Sequence, residues 1–301
     1  MAPAGWGVAR NRPPTTLISD PYPPPPVLEL EHDFRVVDVG ATLDPGGVDH
    51  RRGRAVAPER LERELLQAGI VRAVVSPSAV PAAGRPEEGY LAANNAVARH
   101  CVERPFVPFA RLAGPRVPEV GPSSRLKNLT ARRGPGHADP EDVESYAYGD
   151  RFRGFVLDPA TDGLPDEVVL ETLADVGLPV RVRAGHGFPP RAAAEALLDH
   201  EFPTILASFG GYPLDREMMA TAVDLLDAYD HLHLDTAAVR YRDVLERALK
   251  EHPDRVLFGS GAPDVHPSVA VMELLTCSVP EDGMRKAFDA NPSRVVPALA
   301  P

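Results

Sequence analysis

The side chains best placed for chemistry stand at the ends of short apolar runs. Arg183 closes Val180-Arg181-Val182-Arg183. Its guanidinium could clamp a carboxylate or phosphate through paired donors. It could equally form an internal salt bridge to Asp38, Asp158 or Asp235, since an unpaired buried charge is costly. His186 lies in the glycine turn Ala184-Gly185-His186-Gly187, where an imidazole titrating near neutrality could act as general acid or base or simply be solvated. Asp264 and His266 form an Asp-x-His pair in which the carboxylate could orient the ring. Ser208 has no adjacent base, and Ser208-Phe209-Gly210-Gly211 is not a nucleophile elbow, so serine-hydrolase chemistry is not expected. Packing and capping account for His231, His233 and His252 without a mechanism. Two cysteines, Cys101 and Cys277, cannot build a disulfide framework or a four-thiolate metal site, and Cys101 falls in a helical pattern that predicts a buried thiol.

These residues need a scaffold, and the pattern supplies one. Short β-branched or apolar runs fall at 34–39, 70–75, 106–111, 152–157, 179–183, 203–208, 231–235 and 255–259, each bounded by turn residues. Helix-period segments lie at 57–68, 90–103, 139–148, 165–176, 190–200, 214–228, 240–251 and 281–289. Within 57–68, Leu61, Leu65 and Leu66 share a stripe that stops at Gly69; 165–176 opens on Pro165-Asp166-Glu167 and ends at Gly177. Equal numbers of strands and helices in alternation predict a (β/α)8 barrel. A doubly wound open sheet is the alternative, but Asp38-Val39-Gly40-Ala41-Thr42 is not the glycine-rich phosphate turn it normally carries.

The 301 residues fit one such barrel over 34–301, preceded by a proline-rich arm at 1–33 that contains Pro21-Tyr22-Pro23-Pro24-Pro25-Pro26. The irregular stretch 113–140, rich in Pro, Gly, Arg and Ser, follows the third strand; it reads either as a rim insertion over the C-terminal ends of the strands or as a plain surface insertion. A formal charge of -11 argues against a nucleic-acid partner. No apolar run reaches the roughly 20 residues of a membrane span, and the N-terminus carries no secretion signal. The expectation is a cytoplasmic protein with reduced thiols and no membrane partner.

Several strings, in fixed order at the strand ends, resemble the amidohydrolase-related branch of the amidohydrolase superfamily, which includes hydrolases and non-oxidative decarboxylases of carboxylated rings. They are Val37-Asp38-Val39-Gly40-Ala41-Thr42-Leu43, where the family has Asp-x-His-x-His-Leu, and Leu178-Pro179-Val180-Arg181-Val182-Arg183-Ala184-Gly185, where it has Leu-Pro-Val-x-x-His-x-Gly. Ile205-Leu206-Ala207-Ser208-Phe209-Gly210-Gly211 resembles a pattern ending in His-x-Gly-Gly. Leu232-His233-Leu234-Asp235-Thr236 resembles the strand-seven pattern, and Phe258-Gly259-Ser260-Gly261-Ala262-Pro263 resembles Phe-Gly-Ser-Asp-x-Pro. Asn291-Pro292-Ser293-Arg294 stands where the family has its terminal Asn-Ala-x-Arg, so the resemblance spans roughly 34–298.

Carried over position by position, the family's metal ligands correspond to Gly40, Thr42, Arg183 and Ser208, and its strand-eight aspartate to Gly261. The resemblance therefore implies the barrel without its metal centre and without any other cofactor. The function expected is that of a pseudoenzyme, a ligand-binding or regulatory barrel for a small anionic molecule such as a carboxylate. Asp38, Asp158, Arg183, Ser208 and Asp235 are the candidate ligand-binding residues. The alternative is a metal-independent lyase, decarboxylase or hydrolase in which Arg183 stabilises negative charge and His186 or His266, the latter with Asp264, moves the proton. A metal-dependent hydrolase with a rearranged site is the third reading. Family members form dimers, and the resemblance implies a homodimer here.

Overall fold

The computed structural model describes residues 29–44, 57–78, 89–118 and 122–301, and the statements below concern these. The strands are β1 (Val36–Leu43), β2 (Ile70–Pro77), β3 (Phe106–Pro108), β4 (Ala110–Leu112), β5 (Phe155–Leu157), β6 (Val180–Gly185), β7 (Thr204–Tyr212), β8 (Leu232–Asp235) and β9 (Val256–Leu257). All neighbours pair in parallel, in the orders β1-β2-β3 and β4-β5-β6-β7-β8-β9. The expected third strand is split into β3 and β4 around Phe109. The Phe109 amide still donates to Val75 O at 3.0 Å, whereas the Ala110 amide donates to Gly154 O at 2.9 Å. One chain segment thus hands over from one neighbour to the next and joins the two sheets. On the other side the Val39 amide donates to Phe258 O at 3.0 Å and the Thr42 amide to Ala262 O at 2.8 Å. These bonds close the wheel, and the fold is the (β/α)8 barrel expected from the sequence.

Alternation along each strand divides the apolar residues into two cores. Val37, Val39, Val74, Val107, Phe109, Val156, Ile205 and Leu257 point inward and are capped at the N-terminal end by Val295, Val296 and Leu299 from the chain's last turns. The opposite faces of the strands, with Val36, Val180, Val182 and Leu206 among them, pack against the surrounding helices. Helix Glu167–Val176 shows why these segments fold as they do. Asp166 accepts the Val169 amide at its start, Val169, Leu170 and Leu173 form the buried stripe, and Gly177 takes the left-handed conformation (φ 67) that ends it.

Two helices of nine residues each lie outside the segments expected to be helical. Pro267–Leu275 follows β9 and was not expected. Its apolar residues spread around the axis, with Val271 buried while Val269 and Met272 are exposed, so it lacks a clean stripe. Pro122–Thr130 lies inside the expected irregular stretch 113–140. That stretch is pinned to the segment after β5 by the Arg116–Leu164 bridge, with amide-to-carbonyl distances of 3.0 and 2.7 Å. Most of the proline-rich arm, residues 1–28, lies outside the described residues. Its last residues run beside the first helix, where the Leu30 amide donates to Gln67 O at 2.8 Å. Among the described residues no helix is long and apolar enough to cross a membrane.

Candidate binding site at the C-terminal rim

A cavity of about 330 Å3 opens where β1 and β5–β9 end. Gly40, Thr42, Arg183, Ser208 and Gly261 all line it, so the five positions singled out by the motif comparison converge on one space. Asp158, Arg181, His186 and Asp264 line it too, together with an apolar wall that includes Ala184, Phe188 and Ala207. Among the described residues of 113–140, none contributes to its lining.

Beneath and beside the cavity lies a set of inward-facing charges. Arg111 on β4 is 2% exposed and fully engaged: Nε donates to Asp162 at 2.6 Å, Nη2 to Asp158 at 3.0 Å and Nη1 to Pro77 O at 3.3 Å. Burial pushes the Asp162 carboxyl up, against the pull of the Arg111 charge and hydrogen bond. Arg183, 23% exposed at the cavity wall, has Asp158 among its partners at 3.4 Å. Of the three carboxylates expected for Arg183, the chain brings it Asp158.

Asp235 is taken by Arg181 instead. Arg181 Nε donates to Asp235 Oδ2 at 2.7 Å, and the same carboxylate's Oδ1 accepts the amides of Ser208 (2.8 Å) and Ala237 (3.0 Å). Those amides belong to strand ends with unusual backbones. Ser208 and Phe209 have φ of 55° and 49° and Ala238 has 56°, in the left-handed region that costs a side-chain-bearing residue energy. The Asp235 carboxylate holds that strained turn in place. Asp38 plays a matching part on β1, where it accepts the amides of Gly40 (2.7 Å) and Ser260 (2.8 Å) and the Ser260 hydroxyl (2.5 Å). Burial raises its pKa, while the hydrogen bonds from Ser260 and Gly40 and the charge of Arg181 pull it down. Asp38 and Asp235 therefore brace the floor from behind and do not line the cavity, which corrects their expected role as ligand contacts.

The two histidines of the alternative mechanism separate. His186 stands at the cavity mouth, 60% exposed, with Nε2 3.9 Å from Asp215, the carboxylate that caps helix Arg216–Leu225. His266 is exposed and its Nδ1 accepts the Ser268 amide at 3.3 Å, making it the N-cap of helix Pro267–Leu275; it does not line the cavity. The expected Asp264–His266 dyad is thus divided, because the ring is turned to its own helix start. Arg181 was missed by the motif comparison, which directs attention to Arg183. Period-two alternation could have found it, since Arg181 shares a face with Arg183 while Val180, Val182 and Ala184 take the other.

No protein-family model matches the sequence, and neither does any curated protein. Solved structures do match in three dimensions. A 2,6-dihydroxybenzoate decarboxylase from Rhizobium aligns at TM-score 0.62 and 16% identity over 88% of this chain and 99% of its own. A dihydroxybenzoic acid decarboxylase from Polaromonas, with bound manganese and 2-nitroresorcinol, aligns at 0.61 and 16% over 88% and 97%. A Staphylococcus aureus protein assigned as an amidohydrolase aligns at 0.55 and 12% over 88% and 100%. The chain has the amidohydrolase-type barrel fold.

Within that barrel the chemistry of the lining decides what it can hold. Gly40 and Gly261 offer no side-chain donor, Thr42 turns its hydroxyl to Ala262 O at 3.3 Å, and two guanidinium groups stand in the same space. Among the described residues no group of three or more His, Cys, Asp or Glu side chains is arranged to hold a metal ion.

Proposed function

We propose that this amidohydrolase-type barrel is a pseudoenzyme that binds a small carboxylate-bearing molecule in its rim cavity, without the family's metal centre. The observation that carries this reading is the convergence of Gly40, Thr42, Arg183, Ser208 and Gly261 on one cavity that also contains Arg181. A transition-metal dication asks for imidazole, carboxylate or thiolate donors. Glycine provides none, neutral hydroxyls are weak, and a guanidinium stays charged and repels the ion. The donor set does not fit the metal, whereas arginine donors fit the paired oxygens of a carboxylate. A cavity of about 330 Å3 with a mostly apolar wall and few polar groups has the character of a small-molecule site. The decarboxylases that share the fold act on hydroxylated benzoates, compatible with a carboxylate ligand here.

A thermal-shift panel of aromatic and aliphatic carboxylates tests the reading, with at least one compound stabilising the protein and Arg183→Ala removing that stabilisation. Metal analysis of the purified protein adds a second arm, in which one tightly bound transition ion per chain would overturn the metal-free reading. A second function is favoured by one observation, the position of His186 at the mouth beside Asp215. In it the barrel is a metal-independent lyase or decarboxylase, with Arg183 holding developing negative charge and His186 exchanging the proton. Turnover of a carboxylate from the panel that is lost in His186→Ala would select this function over the pseudoenzyme.

A further inference from the structure

Arg181 is a buried charged residue of the cavity lining that keeps donors unmet. Its side chain is 5% exposed, yet its one hydrogen bond among the described residues is the 2.7 Å contact from Nε to Asp235. Nη1 and Nη2 have no hydrogen-bond partner among those residues. Neither is sealed in, because among the described residues the fully enclosed polar side-chain atoms without a partner are Arg104 Nε and His231 Nε2. Both Nη groups therefore open on the cavity that Arg181 lines. Donors on a charged group this deep in the protein call for an acceptor.

From this geometry we infer that Arg181 is the carboxylate receptor at the floor of the cavity, and that the ligand is a monocarboxylic acid with a compact apolar body that enters carboxylate first. The inference rests on the carboxylate-binding reading above and adds the residue, the orientation and the ligand class. Asp235 cannot swing away to release the guanidinium, because its other oxygen is fixed by the Ser208 and Ala237 amides. The remaining fork offers two parallel nitrogens, the match for one carboxylate. Gly40 keeps the approach open, since a Cβ there would stand 3.2 Å from Nη2. Asp38, close enough to feel the Arg181 charge, commits its oxygens to Ser260 and Gly40. With Asp38 and Asp235 behind the floor offsetting the Arg181 charge, the floor suits a monoanion better than a doubly charged phosphate. Above it, Ala184, Ala207, Ala237, Ala262, Phe188 and Val265 give the ligand's body an apolar wall. Arg183 meets the ligand nearer the mouth.

Calorimetric titration with benzoate, and with benzamide as its neutral counterpart, tests the assignment. Arg181→Lys keeps the charge and loses the fork, and should weaken benzoate at least tenfold while leaving benzamide unchanged. The pair R181M/D235N removes both buried charges together and should abolish benzoate binding in a protein that circular dichroism shows to be folded. A crystal structure of the wild-type benzoate complex is independent of any variant, and should place the carboxylate within hydrogen-bond distance of Arg181 Nη1 and Nη2. Benzoate held by Arg183 alone, or wild-type affinity in Arg181→Lys alongside loss in Arg183→Ala, overturns the Arg181 assignment and leaves the carboxylate reading standing. If neither benzoate nor any member of the carboxylate panel binds the wild-type protein, the broader reading falls and this one with it.

Discussion

Arg111 on β4 and Arg181 on β6 sit level with each other on either side of β5, both in register with Val156, yet they are treated differently. Arg111 commits Nε, Nη1 and Nη2 to Asp162, Pro77 O and Asp158. Arg181 commits Nε to Asp235, and its Nη groups face the cavity. Both are buried, and burial by itself does not separate a structural ion pair from a receptor. What separates them is whether the donors are already met inside the protein. By that criterion the β4–β5 side of the hub is a girder, and the β6–β8 side is a site.

The contrast can be broken most forcefully at Arg111. Arg111→Met leaves Asp158 and Asp162 without their buried partner and should cost about 3–5 kcal/mol, the range for breaking a buried pair from one side. Urea unfolding measures it, and a loss under about 1 kcal/mol would mean that Arg111 is no more structural than a surface pair.

The far end of the barrel gives a second comparison, in pH. His233 is buried, and desolvation, with the charges of Arg255 and Arg294, lowers its pKa from 6.5 to about 4. The unfolded chain therefore binds the proton more readily in that window, so stability is full above pH 6.5 and declines as pH falls towards 4. At about 1.4 kcal/mol per pKa unit the decline amounts to about 3 kcal/mol. Denaturant titrations between neutral and acid pH should show this slope flattened in His233→Gln, and an unchanged slope would assign the acid sensitivity elsewhere.

A smaller effect is expected at Gly40, where an added Cβ would sit 3.1 Å from Gly259 Cα and 3.2 Å from Arg181 Nη2. Gly40→Ala should cost about 1–3 kcal/mol through overpacking and should weaken benzoate; calorimetry on the folded variant reads the second effect. His266→Ala marks the bottom of the scale. It removes a helix cap, costs less than about 1 kcal/mol, and should leave carboxylate binding untouched. Any loss of binding in His266→Ala would return that residue to the site.

The barrel was legible from periodicity because its strands are runs of Val, Ile, Leu and Phe bounded by turns, and such runs have few other ways to be buried. The break at Phe109 was not legible. Val107, Phe109 and Arg111 continue one inward-facing row, and the split lies in which neighbour accepts each amide, a long-range fact. Helix Pro267–Leu275 escaped because its apolar residues lack a single stripe. At the site, motif order located the cavity through Gly40, Thr42, Arg183, Ser208 and Gly261, but it could not rank the arginines. Arg181 and Arg183 look alike in sequence, and only partners 54 and 25 residues away distinguish them. The division of Asp264 from His266 was hidden for a similar reason, since an imidazole can serve its own helix as readily as a ligand.

The tight contact between Gly40 and the Arg181 guanidinium carries one more consequence. Any side chain installed at position 40 has to accommodate the Arg181 guanidinium, since its Cβ alone would lie 3.2 Å from Nη2. Removing Arg181 would strand the Asp235 carboxylate, together with the left-handed turn it anchors. Gly40, Arg181 and Asp235 are thus coupled, so that a change at one of the three is felt at the other two.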